Sequence, residues 1–185
     1  TAIPKSHSGA AEAMRIVSVA RRSAVKARTQ TINQLRGLLI SAPDKIRTKL
    51  WRSKPADCVE ACAYLRTLGE SNWMITLATT LRLLAKRWLY LNDELKALDK
   101  TLEQLTHQAA KRMRQQYGVG PQTAAILLSV AGDNPERLRS EAALASLCGV
   151  NPLEASSGKK IRHRLNRGGN RAANNALWTI AMVRM

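Results

Sequence analysis

Apolar residues recur along the first forty positions at intervals of three and four. Ala13, Ile16, Ala20, Ala24, Ala27, Thr31, Leu35 and Leu38 form one narrow stripe of mostly small side chains, so residues 10–40 read as a single helix after a short Pro4–Gly9 lead. Pro43 breaks the pattern, and Lys45 to Lys54 continue it as a basic helical or turn segment that ends at Pro55. A more regular pattern follows. Leu81, Leu84, Trp88, Leu91, Leu95, Leu98, Leu102 and Leu105 alternate spacings of three and four without a miss, a heptad seam about 36 Å long. An ordinary amphipathic helix drifts toward a 3.6-residue period, so this register predicts coiled-coil packing. A parallel in-register homodimer would set Glu94 near Asp99 of the other strand, a like-charge pair costing roughly a few tenths of a kcal/mol. An antiparallel partner, the chain's own 10–40 helix included, fits at least as well.

From Lys111 the character changes. A glycine-containing turn leads into an apolar helix over Ala124–Ala131, and Gly132-Asp133-Asn134-Pro135 makes a turn. Ser140–Cys148 reads as a short helix, Gly149-Val150-Asn151-Pro152 as a break, and Asn170 as the cap of a last helix from Arg171. Residues 155–169 carry no helical period; Lys160–Arg164 could pair as a short ribbon, but no sheet-forming run stands out. The expected fold class is all-α. A basic helix and coiled-coil segment (residues 1–110) precedes a small helical domain (residues 111–185) with a helix-hairpin-helix-like motif.

Charge narrows the partners. The formal net charge is +17, which favours a polyanion. Residues 1–55 hold 12 Lys/Arg against 2 Asp/Glu, and residues 156–185 hold 7 against none, while the stretch between is near neutral. Two polyanion-facing blocks are therefore expected on either side of a structural element. In the first block Arg15, Arg22 and Lys26 project within about 40° of one another, opposite the apolar stripe, as candidate phosphate contacts. An acidic membrane surface fits less well, because that helix carries Ala rather than Trp or Phe opposite its bases. No apolar run is long enough to span a bilayer. Three cysteines make no disulfide framework. Cys58 and Cys62 could share a helix face, but the other soft ligands are distant in sequence, which favours buried thiols in a reducing cytoplasm over a zinc site. The opening Thr1-Ala2-Ile3-Pro4 carries no initiator Met or signal peptide, and the final apolar pattern stops without a terminator, so a piece of a longer protein is expected.

Two constellations carry chemistry. In Gly118-Val119-Gly120-Pro121-Gln122-Thr123-Ala124, two glycines before a helix start let backbone N–H groups approach a phosphate, with Gln122 and Thr123 in the first turn. The alternative is a plain turn before a helix. The second runs from Asn151 through Ser156-Ser157-Gly158-Lys159-Lys160 to Arg162-His163-Arg164 and Arg167-Gly168-Gly169-Asn170-Arg171. A serine beside glycine can expose its hydroxyl, and the surrounding Lys and Arg would stabilise a pentavalent phosphate. A serine nucleophile needs a base or metal, and His163 is the only local base candidate. The competing reading is a flexible basic loop. The scattered acids form no metal-binding cluster.

The order of Tyr117–Ala124, Leu144–Pro152, Ser156–Lys159 and Arg167–Arg171 resembles the C-terminal transposase domain of the insertion-sequence-110 transposases, serine recombinases guided by a bridge RNA. The preceding basic and heptad helices resemble that family's coiled-coil segment. The resemblance implies a role in DNA transposition, with Ser157 (Ser156 as fallback) forming a 5′-phosphoserine link to DNA in the intact enzyme. It also implies that Mg²⁺ belongs to a RuvC-like domain outside this chain, with no cofactor or metal held here. Lys159, Lys160, Arg162, Arg164, Arg167 and Arg171 would grip DNA or a structured guide RNA. A homodimer or tetramer joined through the coiled coil, in the bacterial cytoplasm, is the implied setting. The competing class is a non-catalytic helix-hairpin-helix module on a coiled-coil dimer.

Overall fold

The structure, a computed structural model, describes residues 3–185; Thr1 and Ala2, the start of the predicted lead and of the 1–110 segment, lie outside the described residues. The architecture is mostly helical, as expected. Its helices are α1 (Ala10–Ser41), α2 (Asp44–Leu50), α3 (Pro55–Ala63), α4 (Asn72–Ala109), α5 (Lys111–Arg114), α6 (Pro121–Ala131), α7 (Glu141–Cys148) and α8 (Arg171–Arg184). A two-stranded antiparallel ribbon, β1 (Pro152–Glu154) and β2 (His163–Leu165), is inserted between α7 and α8. The predicted boundary at 110/111 marks the end of α4. Packing divides the chain by another criterion, into Ala20–Leu98 and a unit that joins Thr1–Val19 to Asp99–Met185.

In the Ala20–Leu98 unit, α1 and α4 lie side by side. Ile32, Leu35 and Leu39 share a core with Ala78, Leu81, Ala85 and Trp88, closed by Ile46 and Leu50 of α2 and by Cys58, Val59 and Cys62 of α3. The Arg28 guanidinium donates to Asn92 Oδ1 at 2.7 Å and lies 5.6 Å from the Trp88 ring centroid, a cation–π contact. The register therefore runs antiparallel, with Arg28 facing the Trp88–Asn92 turn while later α1 residues meet earlier α4 residues. Leu81, Trp88, Leu91 and Leu95 are all buried within the one chain. The heptad seam finds its partner in the chain's own first helix, the antiparallel choice that avoids the Glu94/Asp99 repulsion. Nine-residue α3 was not anticipated. Pro55, read as an end, occupies its first turn, where a missing N–H costs nothing.

In the second unit α6 is the central element. Its Ala124 packs with Val119 and Ile180, Ala125 with Met14 and Leu102, and Val130 with Cys148 and Ala173. The small side chains of α6 let three neighbours approach at once. Here α1 departs from the predicted stripe: Met14 is buried between Leu102 of α4 and Ala125 of α6, while Ile16 is 57% exposed. Two neighbours rather than one set the buried face, and the larger apolar side chain takes it.

A long-range cap fixes the start of α1. The Asp133 carboxylate, in the turn after α6, accepts from the backbone amides of Gly9 (3.1 Å), Ala11 (2.7 Å) and Glu12 (3.3 Å). These are orphan donors that a helix start must satisfy, and the negative charge suits the positive end of the helix dipole. Lys5 donates to Ser129 O, and Arg137 donates to the C-terminal carbonyls of α6, Val130 O (2.9 Å) and Ala131 O (2.5 Å). Beside the cap, Glu12 is held at a pKa of about 2 by its bidentate hydrogen bonds from Arg15 and then by His7.

Asp133→Ala leaves three amides without their acceptor and is expected to lower stability by about 1–2 kcal/mol, read from the midpoint of chemical denaturation. Because the folded pKa of Glu12 lies below its unfolded value, its contribution is complete above pH 4.5 and lost as pH falls toward 2. An acid titration of stability should accordingly show a shallower loss across that window in Glu12→Gln than in the parent chain.

Candidate nucleic-acid interface

The ribbon is built from a defined base. α7 starts at Ser140, whose hydroxyl accepts from Ala143 N (3.2 Å), and ends at Gly149 with φ +68°. Gly149 N donates to Ser146 O and Val150 N to Ala145 O, the paired bonds of a Schellman ending. A β-carbon on Gly169 would lie 2.2 Å from Gly149 N, so these two backbones cross where no side chain fits. Asn side chains lock the crossing. Asn166 Nδ2 donates to Ser146 O (3.2 Å) and Asn151 Oδ1 (2.7 Å), and Asn174 Nδ2 donates to Cys148 O (3.1 Å). Asn170 caps α8, its Oδ1 accepting from Ala172 N and Ala173 N.

From that base Pro152 pairs with Leu165, Leu153 with Arg164 and Glu154 with His163. Ala155 N donates to Arg162 O (2.8 Å), and Ser157 and Lys160 exchange both backbone bonds at 3.2 Å, so the register continues to the tip without a bulge. Gly158 turns the chain with φ +59°; Lys159 has no positive φ, as a two-residue II′ hairpin turn requires. Alternation along paired strands then assigns faces. Ser157, Lys160, Arg162 and Arg164 fall on one face, and Ser156, Ile161 and His163 on the other. His163 thus sits across the ribbon from Ser157. The Ser156 hydroxyl accepts from Arg162 N (3.3 Å), whereas Ser157 Oγ has no hydrogen-bond partner among the described residues.

The cations divide into two groups. Lys159, Lys160, Arg162, Arg164, Arg167 and Arg171 are all exposed, and none has an acidic partner among the described residues. Arg22 and Lys26 are likewise exposed on α1. Arg15 is engaged by Glu12. Arg28 binds Asn92, Arg36 donates to Ser53 O (2.6 Å) and stacks over Trp51, and Arg114 donates to Glu103 (2.7 Å) and Val119 O (3.0 Å). Part of the charge counted in the sequence is therefore structural.

The glycine turn before α6 also divides. A β-carbon on Gly118 (φ +79°) would meet Ile180 O at 3.2 Å, and Arg184 donates to Tyr117 O, so Gly118 serves packing against α8. Gly120 is open, with nothing within 4 Å of a built β-carbon. The Thr123 hydroxyl turns back to Gly120 O (3.0 Å), and Gln122 is exposed on the first turn of α6. Among the described residues no three His, Cys, Asp or Glu side chains gather as a metal site. Cys58 and Cys62 are buried thiols, and burial, with Cys58 beside it, pushes Cys62 up to about 12. No helix of the described residues is long and apolar enough to cross a membrane.

Sequence reasoning did not single out Asn166 and Asn174, which hold the ribbon base. Their signal was the cluster of Asn and Gly around a loop with no helical period, where amides replace a ladder of backbone bonds.

The described residues thus present unpaired cations and an unpartnered serine at a turn tip on a helical scaffold. Residues 110–185 match the model of the Transposase IS116/IS110/IS902 family. That match supports an IS110-type transposase, with a role in transposition and DNA as partner. No match was found among the curated proteins.

Gly169→Ala forces the crossing apart and should destabilise the second unit by about 2 kcal/mol or more. Gly120→Ala, with open space around it, should change the denaturation midpoint little; hydrogen exchange at the amides of Gly149 and Asn170 separates the two.

Proposed function

We propose that this chain is the nucleic-acid-binding, serine-bearing part of a site-specific recombinase acting in DNA transposition, with Ser157 as the nucleophile of the intact enzyme. The observation that carries the reading is the ribbon face. An unpartnered serine hydroxyl at the corner of a tight turn shares that face with three unpaired cations, Lys160, Arg162 and Arg164. In the reaction Ser157 Oγ bonds to a DNA phosphorus while the bond from phosphorus to the 3′ oxygen breaks, leaving a 5′-phosphoserine link. The Oγ proton passes to a base and the 3′ oxygen gains a proton. The cations stabilise charge on the pentavalent phosphate. His163 lies on the opposite ribbon face, so the base is sought outside the ribbon. The family resemblance implies that Mg²⁺ would be held by acids of a RuvC-like domain outside these residues.

Lys159, Arg167 and Arg171, with the open amide turn at Gly120, Gln122 and Thr123, extend the contact to DNA or a guide RNA. Arg22 and Lys26 offer a second basic surface on α1. A dimer or tetramer would assemble through outer faces of the helices, such as exposed Leu83 and Tyr90 one heptad apart on α4, because α1 already covers the Leu81–Leu95 part of the seam.

In the intact enzyme Ser157→Ala should abolish the covalent protein–DNA adduct on a denaturing gel while leaving DNA affinity within about twofold. An adduct that survives Ser157→Ala and disappears in Ser156→Ala moves the nucleophile to Ser156. With this chain, affinity for duplex should fall by roughly 0.9 log units per log unit of salt for each phosphate neutralised, and Arg162→Ala or Arg164→Ala should each flatten that slope by about one contact. A salt-independent affinity would contradict the reading.

A further inference from the structure

The ribbon's other side, together with α8, walls a cleft that the phosphate chemistry does not use. Its volume is about 720 Å³, and Val150, Pro152, Leu165, Leu177, Trp178 and Ala181 supply its apolar lining. Trp178 is 60% exposed and Leu165 80%, so both offer apolar surface at the cleft. Polar groups also line the cleft. Asn174 spends its Nδ2 on Cys148 O and Gly149 O, which leaves its Oδ1 as a free acceptor. Asn151 spends its Oδ1 on Asn166, which leaves its Nδ2 as a free donor. His163 completes the wall, and Arg164 borders it from the strand position between His163 and Leu165.

We infer that this cleft receives one unpaired nucleotide, its base stacked on Trp178 and its Watson–Crick edge met by the Asn174 acceptor and the Asn151 donor. Charge complementarity selects this occupant over a second copy of the chain. Residues 156–185, which supply most of the lining, carry no acid, so a second copy would bring cations against cations, while a nucleotide brings a phosphate. The cleft has the size and mixed lining of a small-ligand site, apolar walls with a few polar groups, and an aromatic face beside cations is what holds single-stranded bases. An extruded base would also bring the adjoining phosphate close to the ribbon. The inference rests on the nucleic-acid reading above and adds a contact that duplex binding does not need.

The test uses this chain and fluorescein-labelled DNA duplexes, one fully paired and one with a single bulged thymine, in anisotropy titrations at one salt concentration. The bulged duplex is expected to bind about tenfold tighter. Trp178→Ala should erase that preference and leave paired-duplex affinity unchanged, and Trp178→Phe should restore most of it. Equal affinities for both duplexes in the parent chain would overturn the cleft and leave the nucleic-acid reading standing; no binding to either duplex would overturn both. A preference untouched by Trp178→Ala, with molar mass by light scattering lowered instead, would overturn the nucleotide and make the face a contact between copies. The same pair of duplexes made in RNA tells whether the nucleotide is deoxyribose- or ribose-borne.

Discussion

The ribbon depends on one close approach, the crossing of Gly149 and Gly169. A β-carbon on Gly169 would collide with the Gly149 backbone, and one on Gly149, at φ +68°, would press on Asn166 O and Gly169 Cα. The crossing brings the end of α7 to the start of α8, with Asn170 N donating to Leu147 O at 2.7 Å, and so fixes where the nineteen residues between the two glycines must leave and return. A segment with two fixed ends and no helical propensity closes as an antiparallel ribbon, because its backbone groups can pair only with one another. Exposure of Ser157 at the tip and the alternation of cations and apolar groups between its faces follow from that closure. Gly149 and Gly169 are there for geometry at the base, at the far end of the ribbon from the serine, while Gly158 makes the turn beside it.

Charge is used in two ways that composition alone does not separate. Where a guanidinium is partly buried it terminates carbonyls or stacks on an aromatic ring: Arg28 on Trp88, Arg36 on Trp51, Arg137 over the end of α6. Such cations are already neutralised or immobilised and add little to a polyanion contact. On the ribbon the backbone is self-satisfied and its acid, Glu154, lies on the face away from Ser157, so the cations of the serine face have no acidic partner. The two basic blocks of the sequence are therefore unequal. The 156–185 block is almost wholly free, whereas the first loses Arg15, Arg28 and Arg36 to the fold. Electrostatic attraction to a phosphate chain should be concentrated on the ribbon and the start of α8.

Much of the helical organisation was legible because it is local. Heptad spacing located the seam of α4, three- and four-residue spacing located α1 to within a residue at each end, and a polar residue before an apolar run located the cap at Asn170. Short α3 escaped, since nine residues opening with a proline carry too few periods to separate a helix from a break. The Asp133 cap escaped because its partners stand more than a hundred residues away, and Ile16 was assigned inward because a stripe cannot say how many neighbours a helix meets.

The sequence by itself determined the helical class, the charge asymmetry and the residue types gathered between Asn151 and Arg171, because periodicity, capping and charge are properties of neighbouring positions. Only the tertiary structure decided that the heptad seam is satisfied by α1 of the same chain, and which cations remain free. It alone put Ser157 with Lys160, Arg162 and Arg164 while His163 went to the other side with the Trp178 cleft. Strand register sets those faces, and a one-residue slip would exchange them all. That register is fixed by the Gly149–Gly169 crossing, a contact between positions that no local pattern connects.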